Sequence, residues 1–495
     1  MKQFYSNNNK STKKIMFKTK KYKLYNYLAI LCICSFFTAC SIPTLVNRNA
    51  NPKTPENYTN QTDSTNSAKM NWKQYFNDEN LTALIDTALK NNQELNITLQ
   101  EIQIANNEVR IRKGEYLPFV DIAAGAGVEK PSRFTSRGAS DAITEIEDGK
   151  KTPDPLQDYT IGAYASWEVD IWKKLRNAKK SAYFNYLSSV EGRNFLVTNI
   201  IAEIAQSYYE LLAFDNQLDI INQNIEIQSN ALRIVRLQKQ SGRVTELAVK
   251  RFEAQLLNTR SLQFDILQDI TVTENRINFL LGRYPQPIQR DAENFMTLVP
   301  NTISAGIPSQ LLGNRPDIKQ AELRLAAAKL DIAVAKANFY PSLRLTAGLG
   351  LRAFNPTFLV KAPESILYSL AGDLAAPLIN RNAIKANYLT ANSKQIQSIY
   401  NYQRTVLNGY LEVSNQLVFI DNLNQKFDVK KQQVEALNQA IDISNSLFLS
   451  ARADYMEVLL TQRDALEARV ELVETKMQQM HAVVNIYRAL GGGWN

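Results

Sequence analysis

The chain has 495 residues, 45% of them hydrophobic, and a formal net charge of +9. Its three cysteines, Cys32, Cys34 and Cys40, all lie within the first 40 residues, which excludes a disulfide-stapled fold and a cysteine metal site in the rest of the chain. Eight lysines between Lys2 and Lys23, with no acidic residue before Cys40, carry all but +1 of the charge, so no basic surface for nucleic acid remains once that segment is set aside.

Those lysines precede an apolar run at residues 27–37, too short for a stop-transfer helix and of the right length for an export signal. Met16 offers an alternative start that would give a leader of ordinary length. The run ends Phe37-Thr38-Ala39-Cys40-Ser41, which resembles a bacterial lipobox, so residues 1–39 read as a lipoprotein signal peptide and Cys40 as the lipidated N-terminus. Ser41 in place of an aspartate favours the outer membrane over retention at the inner one. Residues 40–70 are rich in Asn, Thr, Ser and Pro and read as a flexible, lipid-anchored tether.

Two helices are predicted next, over 72–89 and 92–115. Pro118 then opens an alternating run, Val120, Ile122, Ala124, Ala126 and Val128, a strand at about 118–129. After a polar loop, a second alternating run, from Tyr159 through Ile161, Ala163, Ala165 and Trp167 to Ile171, predicts a strand at about 158–171. Residues 173–284 contain no proline and carry a heptad of Leu211, Phe214, Leu218, Ile221, Ile225, Leu232 and Val235, interrupted by Gln228. This is a long helical hairpin turning near Gly242, whose first arm would reach about 100 Å.

The pattern then repeats. A shift of 209 carries Leu211 to Ile420, Phe214 to Leu423, Ile225 to Val434 and Gly242 to Ala451, an internal duplication. Residues 71–284 form the first repeat, 285–307 a connector and 308–495 the second repeat, with an alanine-rich helix, strands at about 341–352 and 366–378, and another long hairpin. Each strand has one apolar and one polar face. Four strands are too few to close a barrel, and an open sheet facing lipid would leave its edges unpaired. Either the strands pack on a soluble core, or several chains pool them into one barrel.

The order of elements resembles the TolC family of outer-membrane efflux factors, in particular its lipoprotein branch. The residues that carry the likeness are Ile307-Pro308-Ser309-Gln310-Leu311-Leu312 with Arg315-Pro316-Asp317-Ile318 and Ala321-Glu322 between the repeats, Phe339-Tyr340-Pro341-Ser342, Ser166-Trp167-Glu168-Val169-Asp170, and the C-terminal Ala489-Leu490-Gly491-Gly492-Gly493-Trp494. The resemblance implies a mainly α protein, a homotrimer whose twelve pooled strands make a transmembrane β-barrel continued by a periplasmic α-helical tunnel. It implies a passive exit duct for small molecules such as drugs, served by a periplasmic adaptor and an inner-membrane transporter of the RND class, with no cofactor. It places Glu457, Leu460 and Tyr455 at a periplasmic gate, and Gly242, Arg243, Val244, Thr245, Ala451 and Arg452 at an adaptor-contacting tip. Glu168, Asp170, Arg344, Arg352 and Asp373 are expected to line the barrel lumen. A protein-secretion duct and a non-conducting coiled-coil spacer are the competing readings; a spacer has no need of the strands. An enzyme reading has little support, since the one histidine, His481, sits inside the last helix, away from any nucleophile or metal-ligand cluster.

Overall fold

In a computed structural model of the chain, the described residues are 42–51, 53–58, 65–298, 304–450 and 452–494. The leader and Cys40 lie outside them, as does Ala451. The chain resolves into two compact units, and these cut across the sequence repeats: one gathers residues up to Arg48, Arg110–Ser181 and Ala328–Ile396, the other Asn49–Val109, Ala182–Ala327 and Gln397–Asn495.

The first unit holds a four-stranded antiparallel sheet. Its strands are β1 (Phe119–Glu129), β4 (Leu156–Val169), β5 (Ser342–Ala353) and β6 (Ile366–Ala375), neighbours in that order. Two short strands, β2 (Glu145–Glu147) and β3 (Lys150–Lys151), form a separate ribbon in the loop between β1 and β4. The strand of the sequence reading at 158–171 ends early, at Val169, because Asp170 leaves the ladder. Its carboxylate accepts the backbone N–H of Leu175 (3.0 Å) and of Arg176 (3.0 Å) at the start of the following helix. The last strand stops at Ala375, just before Pro377, which has no N–H to offer a ladder. A small core of Ala335, Phe339, Tyr388 and Ala391 collects Ile42 and Leu45 from the N-terminal segment.

The second unit is built on helices. The short α1 (Trp72–Phe76) and α2 (Glu79–Asn91) bury Trp72, Tyr75, Leu81 and Ile85 in a core shared with Ile201, Ile204, Tyr208, Ile277 and Tyr487. Tyr75 stacks on Tyr487 at 4.1 Å and donates its hydroxyl to the carbonyl of Val483. The helix α3 (Gln93–Tyr116) leads toward β1, and α6 (Pro316–Ala337) leads toward β5. The duplication is visible in length: α4 (Lys174–Gln240) has 67 residues and α7 (Asn382–Leu449) 68, while their return arms α5 (Glu246–Leu280) and α8 (Tyr455–Ala489) have 35 each. At ~1.5 Å per residue the long arms extend about 100 Å.

The helix ends share one device. After α4, the N–H of Gly242 donates to Lys239 and that of Arg243 to Gln238, with Gly242 at φ 73°. The same pair of bonds recurs at Gly282 and Arg283 and at Gly491 and Gly492. This is the left-handed cap that only glycine adopts without a Cβ penalty.

Where it is described, the tether expected at 40–70 is pinned at two places. Tyr58 is 2% exposed and stacks on Tyr410, and the N–H of Ser67 donates to Ser304. Single aromatics in a polar segment leave no periodic signal, yet each removes apolar area from water. The connector is packed as well, through Ile288 and the fully buried Phe295. Arg290 meets Asp215 and Glu274 there.

Candidate functional site

Two regions are candidates, and each lies within one unit. The first is the sheet. Its register places one apolar row beside the next: Val120, Ala165, Ala347 and Leu370 stand side by side across the four strands, as do Ile122, Ala163, Leu349 and Tyr368. In most sheets such a face is covered. Here Ile122 is 83% exposed, Tyr368 82% and Leu370 81%. An uncovered apolar face of this extent marks a surface meant for lipid or for another chain. Both outer strands, β1 and β6, keep one edge unpaired among the described residues.

The opposite face is polar, and the register groups its charges. Glu168 of β4 stands opposite Arg344 of β5, which stands opposite Asp373 of β6, an acid-base-acid row. Glu168 also pairs with Lys174 at 2.8 Å. Farther along, Arg352 makes a two-pronged ion pair with Asp158 (2.8 and 2.7 Å), a partner that the sequence reading did not single out. Tyr164 lies over Gly348, where a side chain would collide with its ring. Asp170 is a correction to the set of lumen charges. Its side chain is 2% exposed and is committed to capping α4 and to Arg176. Burial alone would raise its pKa, but the hydrogen bonds from Arg176 and Leu175 and the Arg176 guanidinium together hold it below the usual carboxylate range. Asp170→Ala is expected to cost about 1 kcal/mol, the ordinary worth of an N-terminal cap, as read from the unfolding midpoint. Asp170→Glu, which keeps the charge but lengthens the arm, should restore only part of it.

The second region is formed by the two hairpin turns. Gly242, Arg243 and Thr245 of the first and Arg452 of the second are exposed. Thr245 accepts the Ala248 N–H as the cap of α5. Val244 and Tyr455 instead pack on the apolar cluster beneath the turns, so neither stands free. Glu457 and Leu460 project from the first turns of α8 into solvent, Leu460 at 42% exposure. A hollow of about 320 Å3 opens between the turns, walled by Arg243, Val244 and Thr245 on one side and Phe448, Asp454 and Tyr455 on the other.

The motifs of the sequence reading serve packing more than chemistry. Arg315 is 4% exposed and reaches Asp317 (2.7 Å), Glu412 (2.6 Å) and the carbonyl of Ala489 (2.9 Å). Burial would lower its pKa, but the two carboxylates outweigh it and raise it further above its ordinary value. The Trp494 indole donates to Asn314, beside Arg315, and to Gly491. The C-terminal glycine-tryptophan motif is thus docked on the start of the second repeat. His481 bonds the Gln206 carbonyl at 3.0 Å, and burial pushes its pKa down. Among the described residues no group of His, Cys, Asp and Glu could hold a metal, and no helix is long and apolar enough to cross a membrane.

Paired strand-hairpin repeats with a bare apolar sheet face and two hairpin turns that wall one hollow define an outer-membrane channel subunit of the TolC type. The chain belongs to the outer membrane efflux protein family, whose model matches residues 84–283 and 307–492. It is 28% identical over 425 residues to the pyoverdine export outer membrane protein OpmQ of Pseudomonas aeruginosa, covering 86% of this chain and 87% of that protein. It is 25% identical to the probable outer membrane lipoprotein SilC of Salmonella typhimurium, covering 86% and 88%. Its fold matches the crystal structure of the open state of the MtrE outer membrane channel of Neisseria gonorrhoeae with a TM-score of 0.79, at 22% identity, over 92% of this chain and 98% of that one. The protein is an outer-membrane efflux component.

Proposed function

We propose that three copies pool their sheets into a twelve-stranded barrel and act as the passive exit duct of a tripartite pump. The observation that supports this best is the sheet of four strands with its apolar face exposed and its β1 and β6 edges unpaired among the described residues. Pairing β6 of one copy with β1 of the next removes every edge and turns the apolar rows toward lipid, which is the arrangement a bilayer tolerates. The acid-base-acid row and the Asp158–Arg352 pair then face the lumen. A duct of this kind catalyses nothing. An inner-membrane transporter of the RND class supplies the energy, and a periplasmic adaptor meets the exposed turn residues Gly242, Arg243, Thr245 and Arg452. Cys40 carries the lipid anchor.

Detergent-solubilised protein should run as a trimer and conduct ions in planar bilayers. A monomer that needs no detergent and conducts nothing would favour the spacer. Cys40→Ala is expected to abolish incorporation of labelled palmitate while leaving the trimer's conductance intact. Three copies of Glu457 around one axis would form a carboxylate ring that favours cations. Glu457→Gln should therefore shift the reversal potential in a salt gradient toward weaker cation preference. An unchanged reversal potential would remove Glu457 from the gate.

A further inference from the structure

The polar face of the sheet carries charges at two levels, and at each they cancel. At one level Glu168 and Asp373 flank Arg344, with Lys174 on Glu168. At the other, Asp158 holds Arg352 in its fork. Three rows of the same face lie between, those of Thr346, Gly348 and Gly350 on β5. Among the described residues of these rows the one charge is Asp121 of β1. It is exposed, and among the described residues no ion pair or hydrogen bond reaches its carboxylate. Two residues before it on the same face, Phe119 is 59% exposed, a bare aromatic ring on the polar side.

Tyr164 of β4 stands directly opposite Asp121. Its ring lies along the sheet, on a floor of two glycines. A Cβ added to Gly348 would stand 3.0 Å from the ring, and one added to Gly162 would stand 3.4 Å from the hydroxyl. A side chain at Gly348 would therefore lift the ring, and its absence lets the ring lie down. One ring face meets the sheet and the other is turned to the open side, which leaves Tyr164 half-buried. Cβ atoms of directly opposite residues are roughly 5 Å apart, and aromatic side chains also reach their diagonal neighbours. The Asp121 carboxylate and the rings of Tyr164 and Phe119 thus border one patch, complete within a single copy.

We propose that Asp121, Tyr164 and Phe119 form a resting site for flat organic cations. The negative face of an aromatic ring attracts a cation, and a flat solute also stacks on it. The unpaired carboxylate beside the rings adds its own attraction and repels an anion. A neutral solute gains the stacking alone. Arg352, on the hydroxyl side of Tyr164, is already matched by Asp158 and does not cancel Asp121. That the patch lines a passage rests on the pooled barrel proposed above. In that barrel three copies set three such patches at one height, and the ring of carboxylates favours cations along the whole circumference.

Fluorescence titration of the full-length detergent-solubilised protein with ethidium, a flat aromatic cation, tests this without relying on conduction. Ethidium should saturate one site per copy, and naphthalene-2-sulfonate, a flat anion, should not. Asp121→Asn, which keeps the shape and removes the charge, should weaken ethidium binding about tenfold, and Tyr164→Leu by a similar factor. Phe119→Leu should weaken it about threefold. Asp121→Asn decides the matter if Tyr164→Leu does not fold. Equal ethidium affinity in the wild type and Asp121→Asn, or equal affinity for the sulfonate, would overturn the site. In bilayers ethidium should block the wild-type current, and the block should weaken in Asp121→Asn by the factor seen in binding. Binding at this patch without any current would sink the duct reading and leave the site standing. Current without ethidium binding would sink the site alone.

Discussion

Leu370→Lys is expected to abolish barrel assembly in the outer membrane. Leu370 lies at the middle of β6 and is 81% exposed, with Ala347 beside it on β5. If the apolar rows face lipid, a lysine there sits near the bilayer midplane, where a cation costs roughly 2–4 kcal/mol in each copy. Three copies share one barrel, so the penalty applies three times to one assembly. The readout is the loss of heat-modifiable trimer from outer-membrane fractions. Thr346→Lys is the control, since Thr346 lies on the polar face of β5, in the row with Ser166 and Ala371. It should assemble and alter conductance. If Leu370→Lys assembles as well as Thr346→Lys, the apolar face does not meet lipid.

Arg315→Met should be the most damaging change in the helical unit. Arg315 ties the start of α6 to Glu412 of α7 and to the carbonyl of Ala489 at the end of α8. Removing one partner of a buried pair leaves Asp317 and that carbonyl desolvated, with no donor. Glu412 is 49% exposed on its side chain and recovers water, so its share is small. The expected loss is about 3 kcal/mol, read as a lower unfolding midpoint and as early proteolysis within the second unit. Arg315→Lys should recover less than half, because one ammonium cannot reproduce the forked contact with Asp317. A midpoint unchanged in Arg315→Met would show that the motif is not structural.

These residues also mark where sequence reading succeeds and fails. The alternation in β4 and β5 was legible because a strand turns a side chain to the other face at every residue, and the register then aligned the apolar rows of all four strands. Asp170 continues that alternation in the sequence, which groups it with the lumen charges. Yet the strand ends one residue before it, and the free N–H groups of α4 claim the carboxylate. In α4 the heptad positions Leu211, Ile221, Leu232 and Val235 are buried and Ile225 packs half-buried on the cluster under the turns, but Asn224 and Gln228 are buried as well, which no apolar pattern records. Tyr58 and Phe295 were invisible to any periodic test, because each is buried alone.

Composition, heptads and alternation determined on their own that this is a duplicated, mainly helical, exported chain with strands that have two different faces. Those properties are local or periodic, and each follows from how one segment can satisfy its own backbone and sort its own side chains. Which polar groups are buried, which charges find partners, and which sheet edges stay open were decided only in three dimensions. Many of these depend on residues far apart along the chain, as Arg315 and Ala489 are at 174 positions, and no spacing along the chain records that meeting.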